Sequence, residues 1–213
     1  MSIVDRTQLD LENIALRVLS LVSAHAAQEK RAPVLAVTSA RPREGKTYLA
    51  TALALYTARL GHRVLAVDAN ADHPMLHQQL KCRATPGFFD GLAAAAPGSW
   101  TVQAGPLPDL DVLPAGDHPR RALLFKPDAL ARFTAEMGRR YGLIVIDAPT
   151  LDRGGAHIAG YADKSILVVD SSRTRREVIQ GALAASGVDR ARLLGAVLNK
   201  RPLYIPRLFY RFL

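Results

Sequence analysis

Short apolar runs alternate along this chain with longer stretches of helical spacing. Runs at 34–38, 63–67, 110–113, 143–146, 165–169 and 193–198 are rich in Val, Ile and Leu, and each stops at a polar or turn-forming residue. Between them, apolar positions recur with a helical period over 46–60, 127–140 and 174–186. An N-terminal helix is carried by Leu9, Leu11, Ile14, Leu16, Val18, Leu19, Leu21 and Val22. The stretch around Pro74, Pro86-Gly87 and 93–97 is looser. Strands that are apolar throughout, rather than alternating, need cover on both faces. The pattern therefore predicts an α/β fold, a mostly parallel central sheet with helices on both faces.

Such a sheet places its site at the carboxyl ends of the strands. Four of those ends carry polar chemistry: residues 39–47, Asp68, Asp147 and Asn199. The first follows a strand with Ser-Ala-Arg-Pro-Arg-Glu-Gly-Lys-Thr and runs into the helix that begins Tyr48-Leu49. This is the grammar of a phosphate-binding loop. Unpaired amides and the dipole at a helix start attract an anion, and Gly45 permits close backbone approach. Lys46 can reach the β- and γ-phosphates of a nucleotide, and the Thr47 hydroxyl can ligate Mg²⁺. The candidate cradle is Ala40, Arg41, Pro42, Arg43, Glu44, Gly45, Lys46, Thr47 and Tyr48, with Ala40 where the usual pattern has glycine. An acid at the end of a buried strand beside such a loop is placed to hold Mg²⁺, which makes Thr47, Asp68 and Asp147 the candidate metal residues.

Composition narrows the setting. At 213 residues and 49% hydrophobic, the chain can bury one sizeable core. The single cysteine, Cys82, leaves no disulfide framework, and the six histidines lack metal-ligand spacing. The start, Met-Ser-Ile-Val-Asp-Arg, does not read as a signal peptide, and no apolar run approaches the ~20 residues of a membrane span, so a soluble cytoplasmic protein is expected. A net charge of +9 favours an anionic partner. No nucleic-acid module is recognisable, and none is expected to bind. Ser171-Ser172 has no His/Asp pattern suggesting a hydrolase triad.

The motifs resemble the cytoplasmic ATPase domain of bacterial tyrosine kinases, within the MinD/ParA-like class of P-loop proteins. The family's Walker A reads Thr-Ser-x-x-Pro-Gly-Glu-Gly-Lys-Ser/Thr, and residues 38–47 depart from it mainly at Arg43. Its second motif, Asp-x-Asp-x-Arg-x-Pro, is matched at Asp68 and Pro74. Its Walker B, Asp-x-Pro-Pro, is matched by Asp147-Ala148-Pro149-Thr150 apart from the last proline. The segments 86–92, 113–116 and 194–199 are also similar, so the likeness spans about residues 12–200. The resemblance implies a three-layer P-loop domain over 1–200 that takes ATP or ADP with Mg²⁺. It implies Lys46, Asp68 and Asp147 as catalytic residues and Asn199 and Arg201 beside the nucleotide. It further implies control of exopolysaccharide or capsule synthesis with an inner-membrane chain-length determinant, at the inner face of that membrane, with self-association.

Some positions depart from the family. Asn70 replaces the second aspartate of the Asp-x-Asp motif, and an amide cannot accept a proton from an attacking tyrosine hydroxyl. The assembly motif Glu-x-x-Arg-x-x-Arg is reduced to Glu12 and Arg17. Only Tyr204 and Tyr210 follow Asn199 as phosphosites. These departures favour a nucleotide-dependent scaffold without phosphotransfer as the alternative. Arg41, where MinD/ParA-type switches carry a signature lysine, keeps a positioning ATPase open as another. The tail, 201–213, is basic and aromatic, with Arg207 and Arg211 opposite Leu208, Phe209, Phe212 and Leu213. It could meet a membrane, a partner helix or its own domain.

Overall fold

A computed structural model describes residues 6–94, 96 and 98–200. Its centre is a seven-stranded sheet in the order β3-β4-β2-β5-β1-β6-β7, parallel except for the antiparallel β3–β4 pair. The strands are β1 (Val34–Ser39), β2 (Val64–Asp68), β3 (Gln103–Ala104), β4 (Leu110–Leu113), β5 (Leu143–Asp147), β6 (Lys164–Asp170) and β7 (Leu193–Asn199). Every residue of β1, β2 and β5 is buried, the expected burial for a parallel sheet covered on both sides.

On one face lie α1 (Arg6–Gln28), α2 (Lys46–Arg59) and the short α3 (Leu76–Gln79). There Val18, Leu49, Leu53 and Leu76 pack on Leu35, Val37, Ala66 and Val145. The opposite face carries α4 (Phe88–Ala94), α5 (Pro127–Met137) and α6 (Gly155–Tyr161). Its core is aromatic: Phe88 and Trp100 each meet Phe133 edge to face, and Phe89 meets Phe88 and Phe125. At the outer edge, α7 (Arg176–Ser186) sends Ile179 and Leu183 against Leu151, Leu167 and Val169. No helix among the described residues is long and apolar enough to cross a membrane.

The expected strands are present within a residue or two of their ends. Two helix boundaries differ. α5 stops at Met137 rather than 140, with Gly138 as its cap. α7 begins at Arg176 rather than 174, because Arg175 is extended and Thr174 is engaged elsewhere. Helices α3, α4 and α6 occupy stretches for which no helix is expected from the sequence. Asp90 starts α4 by accepting the Gly87 amide at 2.8 Å, and α6 starts at the Gly154-Gly155 pair. The tail 201–213, with Arg201, Tyr204 and Tyr210, lies outside the described residues.

Candidate functional site

At the carboxyl ends of β1, β2, β5 and β6 the chain forms a cleft of about 820 Å³, lined along one side by residues 41–48. The loop turns sharply at two left-handed residues, Arg43 (φ 63°) and Gly45 (φ 100°). A non-glycine residue there costs roughly 1–2 kcal/mol. Gly45 has a second constraint: a Cβ would stand 2.1 Å from Nδ2 of Asn199. The amides of Glu44, Gly45, Lys46 and Thr47 have no acceptor among the described residues, so the loop and first turn of α2 offer a row of free donors.

Lys46 is only 6% exposed and makes no hydrogen bond or ion pair within the described residues. Burial holds its ammonium below the ordinary lysine pKa, against the opposing pull of Asp147 and Glu44. A buried cation without a direct partner, next to free amides, is suited to a polyanion.

The two strand-end acids stand together because β2 and β5 are in register, with Asp68 opposite Asp147. Both are fully buried. The Thr47 hydroxyl donates to Asp147 Oδ2 at 2.6 Å, while Asp147 Oδ1 is buried with no hydrogen-bond partner among the described residues. Desolvation, and then the neighbouring Asp68, push the Asp147 carboxyl up to about 8. Burial raises Asp68 to about 6, against the amides that bind it. The orphaned oxygen beside a hydroxyl fits a divalent cation whose remaining ligands are phosphate and water oxygens. No cluster of three or more His, Cys, Asp or Glu side chains in the described residues could hold such an ion alone. Asp68 itself accepts the amides of Asn70 (3.1 Å) and Leu76 (3.0 Å) and has no exposed surface. Its reach into the cleft is therefore electrostatic.

Other expected residues are placed as follows. Arg41, Pro42, Arg43 and Tyr48 are exposed on the cleft wall. The Glu44 carboxylate turns inward: it accepts the Arg41 amide at 3.0 Å, the Asp170 amide at 3.2 Å and the Thr174 hydroxyl. Its side chain thus knits the loop to the end of β6. Asn199 reaches the same loop, donating from Nδ2 to the Glu44 carbonyl at 2.8 Å. Asn70 uses its Oδ1 to accept the His73 amide at 3.3 Å.

Three contributors escape the sequence reading. Lys200 donates to the Arg43 carbonyl at 2.6 Å and to Asp170 at 3.1 Å. The Ser172 hydroxyl and Lys200 hold the Asp170 carboxyl below the ordinary range. Arg153, on the far wall, pairs with Asp72 at 3.2 Å, where the family motif has an arginine. Asp170 ends an apolar strand in the same way as Asp68 and Asp147, and that signal was available.

The comparisons agree with this architecture. The family model described as cellulose biosynthesis protein BcsQ matches residues 32–183. Tyrosine-protein kinase YwqD of Bacillus subtilis is 33% identical over 170 residues, covering 78% of this chain and 72% of its own. The succinoglycan biosynthesis transport protein ExoP of Rhizobium meliloti is 29% identical over 176 residues, covering 78% of this chain and only 22% of ExoP. Among solved structures, the VpsO kinase domain superposes with a TM-score of 0.73 at 25% identity, covering 92% of this chain and 98% of its own. The chain belongs to the bacterial tyrosine-kinase family, over a span that the family model described as cellulose biosynthesis protein BcsQ also matches.

Proposed function

We propose that this protein binds ATP with Mg²⁺ in the cleft and transfers phosphate to tyrosine, regulating exopolysaccharide or capsule synthesis with a membrane chain-length determinant at the inner face of the cytoplasmic membrane. One observation carries the nucleotide reading. Among the described residues, amides without an acceptor and a buried lysine without a partner face the cleft beside Thr47 and two acids in register, one with an unpartnered oxygen. The amides of 44–47 and Lys46 would hold the phosphates, and Thr47 and Asp147 would hold the cation, with Asp68 adding negative charge behind them. The cation would supply neutralisation of charge on the phosphoryl oxygens. The kinase relatives and ExoP support the pathway assignment.

The test is incubation of the full chain with labelled ATP and Mg²⁺, with and without the partner's cytosolic segment. Label on Tyr204 or Tyr210 that disappears in Lys46→Ala supports an autokinase. Saturable ATP binding with no label on any tyrosine overturns phosphotransfer and leaves a nucleotide-dependent scaffold. That second reading has its own support: Asn70 stands where the motif has a second acid, and its oxygen is occupied by a backbone amide.

A further inference from the structure

The phosphate loop is held from behind by two consecutive residues at the end of β7, each donating to a different loop carbonyl. Asn199 takes the carbonyl of Glu44 at 2.8 Å, and Lys200 takes the carbonyl of Arg43 at 2.6 Å. In a planar trans peptide the N–H points opposite to the C=O. A donor that draws the Arg43 carbonyl outward therefore aims the Glu44 amide inward. The bond from Asn199 does the same for Gly45. The amides aimed this way are among those without an acceptor in the described residues.

Lys200 carries the heavier duty, because the residue it holds is the strained one. Arg43 sits at φ 63°, a conformation that disfavours any side chain. Lys200 is itself left-handed, at φ 52°. Its ammonium is anchored on the other side by Asp170 at 3.1 Å, which is almost fully buried and is fixed in turn by the Ser172 amide (3.1 Å) and hydroxyl (2.6 Å). The lysine thus bridges a rigid strand end to the one loop carbonyl whose position demands strain.

We propose that Lys200 is a positioning residue: it holds Arg43 left-handed and so keeps the phosphate-loop amides aimed into the cleft. The inference rests on the nucleotide reading of the cleft for its function, but not for its geometry. It makes one demand that a general stabilising role does not. The need for Lys200 must disappear when glycine stands at 43, because glycine adopts the same φ without strain.

The experiment is a cycle of four full-length proteins (wild type, Lys200→Met, Arg43→Gly and the double variant) titrated with ATP–Mg²⁺ by calorimetry. Lys200→Met is expected to weaken binding about tenfold, the scale of one lost hydrogen bond from a charged donor. In the Arg43→Gly background the loss is expected to shrink to under about threefold, while Lys200→Arg retains most of the affinity. Equal losses in both backgrounds overturn the proposal, as does full affinity in Lys200→Met. A second readout needs no nucleotide. Trypsin cleavage after Arg43 should be several-fold faster in Lys200→Met than in wild type, and an unchanged rate overturns the proposal. A wild-type chain that takes up no ATP–Mg²⁺ sinks the reading of the cleft, and the cleavage rates then decide this inference alone.

Discussion

The two sides of the cleft are built differently. The acids Asp68 and Asp147 end strands in which every residue is buried, backed by the Phe88–Phe133–Trp100 cluster. The residues that hold the loop from behind, Thr174, Asn199 and Lys200, come from a thin flank. There α7 buries no residue completely, and Leu198 of β7 is 60% exposed. The core fixes where the acids stand, so their relative position is as stable as the fold. The loop's conformation depends on a few polar bonds close to solvent. Damage to the first side should unfold the protein, whereas damage to the second should change affinity and leave the fold standing.

The sharpest break is in stability. Phe133→Ala empties part of a fully buried aromatic cluster and is expected to cost about 3–5 kcal/mol. Ile179→Ala, on the half-buried face of α7, should cost roughly 1 kcal/mol, since part of that side chain already meets water. Urea unfolding of both variants measures the pair. Equal costs would remove the distinction between core and flank.

Next comes the response to pH. Asp147 at about 8 and Asp68 at about 6 lie above the ordinary carboxylate value, so the metal-free native state holds protons that the unfolded chain has already released. Stability gained this way is complete below about pH 4 and is lost as pH rises toward 8. The slope is bounded by roughly 1.4 kcal/mol per pH unit for each proton. Thermal melts of nucleotide-free protein from pH 5 to 8 should show a falling midpoint, flattened in Asp147→Asn and offset by Mg²⁺ with ATP. Asp170, on the flank, adds no such slope in this range. Its carboxyl is held low by Ser172 and Lys200 and stays charged throughout. A midpoint that rises over this interval would contradict the buried pair.

The same contrast explains what was readable in the sequence. β1, β2 and β5 were legible almost to the residue, because a strand covered on both faces must be a continuous apolar run with a polar stop. Asp68 and Asp147 were legible because each sits at such a stop, and Lys46 and Thr47 because they follow a glycine where a loop after β1 enters a helix. Short α4 and α6 were not, since seven residues give too little periodicity and both begin among glycines. The inward turn of Glu44 was hidden for another reason. Its partners Asp170 and Thr174 lie 126 and 130 residues away, and only the β1–β6 pairing brings them near. Lys200 was hidden in the same way, 157 residues from Arg43.

A smaller effect tests the flank's polar bonds singly. Thr174→Val keeps the shape and removes the hydroxyl that donates to Glu44. The loss should be about 1 kcal/mol in urea unfolding and a few-fold in ATP–Mg²⁺ affinity, because the Asp170 amide still serves the same carboxylate oxygen. Thr174→Ser, which retains the donor, should recover the affinity. A Val variant with unchanged affinity would mean that Glu44 needs only its bonds from Arg41 and Asp170.

The smallest expected effect is at Leu198, one residue before the clamp. Its side chain is 60% exposed on the outermost strand, whereas Asn199, pointing to the other face, reaches the loop. Leu198→Ser should therefore change stability by less than about 0.5 kcal/mol and leave ATP–Mg²⁺ affinity unaltered, since a surface substitution away from caps and networks removes little. The measurement is worth making because it can fail in one informative direction. A loss above about 1 kcal/mol would require an apolar surface to lie over Leu198 in solution, at the burial energy of a leucine. The flank would then be a covered face, and the loop's polar bonds would be as sheltered as the acids they oppose.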